Sequence, residues 1–347
     1  MRSSAIGASL IFLSALSLAT SRVHFIQSAP SFDRALAEFQ NAEFGKAAQD
    51  FAEVESGSPG ATDALLYRAK CLSHLEKFAE ADSSVRSYIA QHPQSDEALY
   101  LLGFILNREN KPSESLQVFT RAAAIHTPTG DDLKIVGLDY VLLNDYPDAI
   151  HWLAKATEFE SRNKDAWYYL GRAYYSVGSL TDAQKAFQNA LALDPHDAKS
   201  ENNLGLIFES QARQNDAMGA YQNAIAWQEK SPHPSEQPYL NLGSLFLQTD
   251  RAVDAISPLR KAIELAPGGG GGHLLLGNAY FRTGKITEAQ QEFETATRLD
   301  PGNAAAHYQL GRLLKELHET DRAKAEFNRA SELQERAARS TPAVPQP

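Results

Sequence analysis

The side chains with the widest chemical reach in these 347 residues are ten histidines and one cysteine. A lone Cys71 excludes an intramolecular disulfide framework and any cysteine-based zinc site, and it reads as a small buried apolar group on a helix. The histidines contain no His-Glu-x-x-His pair. His273 and His307 occupy equivalent places 34 residues apart, where another stretch carries Trp167. Their helices should lie roughly 8–10 Å apart, which suits packing histidines better than a shared metal. Gly268 to Gly272 invite comparison with a phosphate loop, since four residues separate Gly272 from Gly277. Asn278-Ala279 follow where a lysine and a hydroxyl are needed, and no strand precedes, so nothing would hold a terminal phosphate or its magnesium. The carboxylates fall mostly on polar helical positions, with no pair in an apolar setting. The expectation is no catalytic, cofactor-binding or metal-binding residue, no cofactor, and a protein that is not an enzyme.

Composition narrows the class. Lys and Arg number 33 against 43 Asp and Glu, for a net charge of −10, with 43% hydrophobic and 22% charged residues. That balance belongs to a folded chain, and its acidity argues against a nucleic-acid binder, which needs clustered cations to neutralise phosphates. The N-terminus differs from the rest. Arg2 precedes the apolar and small-residue run Ala5 to Ala19, and Ser17-Leu18-Ala19 offers small residues where a signal peptidase reads. A cleaved signal over residues 1–19 is expected, with an uncleaved anchor over Ser3 to Ser21 the alternative; only the anchor would imply a membrane partner. Either places the body outside the cytoplasm, in the periplasm or cell envelope of a presumed bacterial source.

The elements that must position any site repeat every 34 residues. A small residue recurs at Ala35, Ala69, Gly103, Gly137, Gly171, Gly205, Gly243, Gly277 and Gly311, with one gap of 34 + 4. Twelve residues after each comes a second small residue, such as Ala149 or Ala183, and four further on a large apolar one, such as Leu153 or Phe187. Trp167, Leu170, Gly171 and Tyr174 lie on one helical face, and Ala183, Phe187 and Ala190 on the face of a following helix. Pro195 closes the pair because it has no N–H to continue the ladder. One such pair cannot bury its apolar face alone, so neighbours must stack.

Trp167, Leu170, Gly171, Tyr174, Ala183, Phe187 and Pro195 resemble the tetratricopeptide repeat signature nearly letter for letter. The resemblance implies an all-α fold, a right-handed superhelical solenoid of nine helix-turn-helix units over residues 28–337. A linker over 20–27 precedes it and an unstructured tail over 338–347 follows. Units one and two depart most, with Arg34 and Arg68 where others carry Leu or Val, as expected of a capping end that faces water. The four extra residues fall in the Pro-rich stretch 230–236, read either as a longer connection in one continuous stack or as a pivot. The five-glycine run should delay the next helix until near His273, since each glycine costs about 1 kcal/mol against alanine.

The family resemblance further implies that first helices line a concave face. Its inward positions are Tyr168, Tyr169, Arg172 and Tyr175, then Asn202 and Asn203, Asn241, then Asn278, Phe281 and Arg282, and finally Tyr308 and Arg312. These lean basic and aromatic in an acidic chain. Asn203 and Asn241 could pair with an extended peptide backbone whatever its sequence, and Arg172, Arg282 and Arg312 could hold carboxylates. The alternative is that these groups bond within the array or are simply solvated. The three-unit carboxylate clamp of chaperone-tail binders is not reproduced. The expected function is an exported, non-enzymatic protein–protein interaction scaffold holding a protein or extended peptide in this groove. The competing expectation is a structural assembly factor of a secretion, pilus or outer-membrane machine working through convex or edge surfaces. The sequence leaves the oligomeric state open.

Overall fold

The computed structural model of the protein describes residues 32–54 and 60–340. The expected signal over 1–19, its Ala19 cleavage site, the 20–27 linker and residues 341–347 lie outside the described residues. Among the described residues the regular elements are eighteen α-helices. The chain divides into two compact units, Met1–Gln91 and His92–Pro347.

The first unit holds α1 (Phe32–Gln40), α2 (Phe44–Glu53), α3 (Ala61–His74) and α4 (Phe78–Gln91). Ala35, Ala47, Ala69 and Ala81 have no exposed surface, so the small positions let paired backbones approach. Arg34 and Arg68 do not point to water as a capping end would. Arg34 grips Asp50 at 2.6 Å, and Arg68 donates to the Ser84 hydroxyl at 3.0 Å. Each reaches sixteen residues along the chain, so the two arginines tie first helix to second. A polar residue on the facing helix gives each half-buried guanidinium a partner, which lowers the cost of burying it.

The second unit runs through α5 (Asp96–Arg108), α6 (Pro112–Ala123), α7 (Gly130–Leu142), α8 (Tyr146–Phe159), α9 (Lys164–Ser176) and α10 (Leu180–Leu193). It continues with α11 (Ala198–Ser210), α12 (Gln214–Gln228), α13 (Gln237–Gln248), α14 (Ala252–Leu265), α15 (Gly270–Arg282), α16 (Ile286–Leu299), α17 (Ala304–Glu316) and α18 (Thr320–Ser340). Consecutive helices pair antiparallel. Gly270 lies against Asp300 and Ala296 at one end of the α15–α16 pair, and Gly277 against Phe293 nearer the turn. A Cβ on Gly171 would come within 2.7 Å of the Phe187 ring, and one on Gly277 within 2.6 Å of Phe293. The ring fills the space that the missing side chain leaves, which is why the small and large positions recur sixteen residues apart.

Caps set where first helices begin. The side chains of Ser95, Asn163, Asp197 and Asn303 accept from the backbone N–H three residues on, and Thr129 forms a full capping box with Asp132. Gly269 takes that place before α15 without a side-chain cap. The turn between the helices of a pair has its own register. Ala42, Glu76, Asn110, Asn144, Gly178, Ala212, Asp250, Gly284 and His318 all have positive φ, between 57° and 77°.

Two expectations are corrected. The helix after the glycine run starts at Gly270, not near His273. Gly270 is packed so closely that a Cβ would meet Asp300 Cβ at 3.1 Å and Ala296 O at 3.2 Å, so tertiary contact overrides the glycine penalty. The last helix runs to Ser340, three residues into the expected tail, carried by its amphipathic pattern rather than by a partner helix beyond it. The four extra residues lie in the α12–α13 connection. Tyr221 of α12 shares a buried cluster with Leu242 and Leu245 of α13, so the core runs on past the connection.

Candidate functional site

The first helices and the α12–α13 connection together build a cleft of about 580 Å³. From α9 come Tyr168 and Arg172, from α11 Lys199, Asn202, Asn203 and Leu206, and from α13 Asn241. Five of the residues expected from the sequence therefore meet in one place. Burial pushes the Tyr168 hydroxyl above the usual tyrosine range, so it stays protonated and able to donate. The Arg172 guanidinium forms no salt bridge among the described residues, and neither does the Lys199 ammonium.

The asparagine pairing differs from expectation. Asn241 Nδ2 donates to Asn202 Oδ1 at 2.9 Å, while Asn203 Nδ2 is turned back to the Lys199 carbonyl at 2.8 Å. The ladder across helices is thus Asn202–Asn241 rather than Asn203–Asn241. Successive residues of a helix lie about 100° apart, and Asn202, only 8% exposed, is the one aimed at the neighbouring first helix. The internal bonding weighed as the alternative is therefore present, but in the Asn202–Asn241 pair it uses one N–H of Asn241 and one lone pair of Asn202.

Several wall residues were not singled out from sequence: His196, Trp227, Gln228, Ser231, His233 and Ser235. Gln228 is buried and clamps the connection, its Nε2 donating to the Ser235 carbonyl at 2.7 Å and its Oε1 accepting from the Ser235 N–H at 2.9 Å. The His196 ring stands edge-on to Trp227 with centroids 5.3 Å apart. The sequence signal was an aromatic and an amide at a helix end just before the Pro-rich insertion, and it has meaning only once the connection folds back.

A second recess of about 390 Å³ gathers Asn278, Phe281, Arg282, Gln309, Arg312 and Glu316. Arg312 lies 5.5 Å from the Phe281 ring centre, and Arg282 is spent on the Leu247 carbonyl. Tyr169 and Tyr175 are half-buried against core clusters around Leu153 and Phe187. Tyr308 is exposed, with its ring on Phe327. These three join neither recess.

The remaining chemistry is structural. His273 and His307 meet Glu292 and Glu326, each at 2.6 Å, locking α15 to α16 and α17 to α18 in the same way. Cys71 is fully buried, and burial pushes its thiol up to about 11, far from nucleophilic use. Among the described residues no cluster of histidine, cysteine and carboxylate could hold a metal ion.

Tetratricopeptide repeat family models match residues 74–128, 164–197, 277–317 and 304–336. Protein bimA of Emericella nidulans is 25% identical over 159 residues, covering 46% of this chain and 20% of that protein. The matched stretches span 20% to 38% of the length of the curated relatives. The fold is similar to the crystal structure of the APC/C hetero-tetramer Cut9-Hcn1, at TM-score 0.61 and 18% identity over 81% of this chain and 54% of that one. It is also similar to a tetratricopeptide repeat protein from Parabacteroides merdae, at TM-score 0.57 and 15% identity over 73% and 98%. With its 34-residue phase, its glycine-to-ring helix pairs and these matches, the chain belongs to the tetratricopeptide repeat proteins.

Proposed function

We propose that the chain is an exported, non-enzymatic interaction scaffold that holds an extended protein segment against the first-helix face between α9 and α13. The carrying observation is the convergence of Tyr168, Arg172, Asn202, Asn203 and Asn241 on one cleft, where Arg172 has no salt bridge among the described residues. A pre-formed wall of helices loses little freedom on binding, which favours capture of a segment that must itself be ordered. Export rests on the composition of residues 1–19. The test is affinity enrichment from the host's envelope fraction, using the wild type beside an Arg172→Ala, Asn203→Ala, Asn241→Ala variant of equal helicity. A partner lost with the variant supports the reading; partners shared by both baits refute it. Fractionation with N-terminal sequencing checks export, and a mature protein starting at Thr20 is the expected result.

A second reading, an assembly factor of a cell-envelope machine using other surfaces, is favoured by a separate observation. Ile125, Phe159 and Leu193 lie at equivalent places near the ends of α6, α8 and α10, and are 41%, 62% and 37% exposed. An apolar row at a 34-residue spacing suits a broad partner. Partners lost with Phe159→Asp but retained by the cleft variant would select it.

A further inference from the structure

The α12–α13 connection is where this chain leaves the regular repeat, and the extra residues do not hang free. Ser231, His233 and Ser235 stand on the cleft wall, and the buried Gln228 amide holds Ser235 by two bonds. Trp227 directly precedes that clamp. The same helix end therefore sets both the indole and the shape of the connection.

The charges in the cleft are unevenly engaged. Asp197 is partly engaged, accepting from the Ser200 N–H at 3.0 Å and lying 3.4 Å from Lys164 Nζ, which it shares with Asp194 at 2.9 Å. Arg172 and Lys199 are exposed and have no salt bridge among the described residues. In a chain of net charge −10, these two cations outnumber Asp197, among the described residues the one carboxylate on the cleft lining, and make a local site for an anion. The Asn202–Asn241 bond leaves the Asn202 NH2 group and the Asn241 carbonyl oxygen to face a ligand, a donor and an acceptor that a peptide group can meet. Beside them, Tyr168, Leu206 and Trp227 supply apolar surface. The Trp227 indole N–H has no partner among the described residues, and the His196 ring steadies its edge.

We propose that the 230–236 connection is a recognition element, and that the cleft it walls takes an acidic peptide segment with an apolar or aromatic side chain beside its carboxylate. The carboxylate sits between Arg172 and Lys199, the peptide group on Asn202 and Asn241, and the apolar side chain against Trp227. This deepens the scaffold reading and rests on it. The connection makes the difference: Ser231, His233 and Ser235 supply part of the wall beside Trp227, and the Gln228 clamp holds Ser235 in place.

The test is selection of random dodecapeptides displayed on phage against the full chain, followed by calorimetry on the enriched peptides. Enriched peptides are expected to pair Asp or Glu with Leu, Phe or Trp. Replacing the acid by its amide should weaken binding about tenfold, the scale of one charge-assisted contact. Arg172→Gln with Lys199→Gln should cost the same factor and make the protein indifferent to that amide replacement. Trp227→Ala and Gln228→Ala should each weaken binding with helicity unchanged. Neutral or basic peptides that are still lost with Asn203→Ala and Asn241→Ala would overturn this proposal and leave the scaffold reading standing. Acidic peptides indifferent to the Arg172 and Lys199 changes would do the same. No enrichment, or peptides insensitive to all of these variants, overturns both.

Discussion

At the scale of single residues, Asp139 is a carboxylate buried at an otherwise apolar position of the second unit. It stands where Ala173, Ile207, Leu245 and Leu313 are buried and apolar, and it has no exposed surface. Its Oδ1 accepts from Asn107 Nδ2 at 2.8 Å, while Oδ2 is buried without a partner. Burial pushes its carboxyl up to about 6, and hydrogen bonds only partly offset this. The folded state therefore binds the proton more tightly than the unfolded chain does. The resulting stability is fully present below about pH 4, is lost between about pH 4 and 6, and stays lost above; a rise of that size corresponds to roughly 3 kcal/mol. Asp139→Asn keeps an acceptor for Asn107 and removes the charge. Chemical denaturation should show the variant more stable than wild type by about 1–3 kcal/mol near pH 7.5, with the difference shrinking towards pH 4. A difference that does not change with pH would contradict the assigned cause.

At the scale of the helix pair, two backbone demands decide stability. The first is the left-handed residue in each turn, which glycine meets at Gly178 and Gly284 while Ala212 meets it with φ at 59°. Alanine is strained there, so Ala212→Gly should raise stability by about 0.5–1 kcal/mol despite glycine's greater freedom in the unfolded chain. Thermal melts of the two proteins decide it, and a lower Tm for the variant would mean that strain is relieved elsewhere. The second demand is close approach. A Cβ on Gly277 would lie 2.6 Å from the Phe293 ring, which is fully buried and cannot swing out. Gly277→Ala should therefore cost about 1–3 kcal/mol, although alanine is the better helix former. A rise in helicity without loss of stability would show that the pair can spread. This glycine-to-ring contact is legible in the sequence, because the small and large residues keep the same sixteen-residue offset through the 34-residue phase. The left-handed turn stays hidden there, because seven different positions meet it with ordinary side chains such as Glu76 and Asp250.

At the scale of the whole chain, contacts are between neighbours in sequence, and each unit carries its own core. A fragment of residues 92–340 should fold alone, with strong helical circular dichroism and a cooperative melt, because nearest-neighbour stacking supplies its burial. A molten, non-cooperative fragment would contradict that. Among the described residues no helix is long and apolar enough to cross a membrane. The sequence by itself determined the helix pairs, their order and their contact register, because a 34-residue recurrence of small and large side chains has one economical packing. It also determined which face would be basic and amide-rich, since Arg172, Asn202 and Asn241 fall off the packing stripe. Tertiary structure alone decided which of those residues meet. Helical phase turned Asn202 rather than Asn203 towards Asn241, and packing kept Tyr169 and Tyr175 against the core. The fold-back of the 230–236 connection, clamped by Gln228, brought Trp227 and Ser235 to the same cleft as Arg172, and no local pattern encodes a contact between a loop and a helix that far apart.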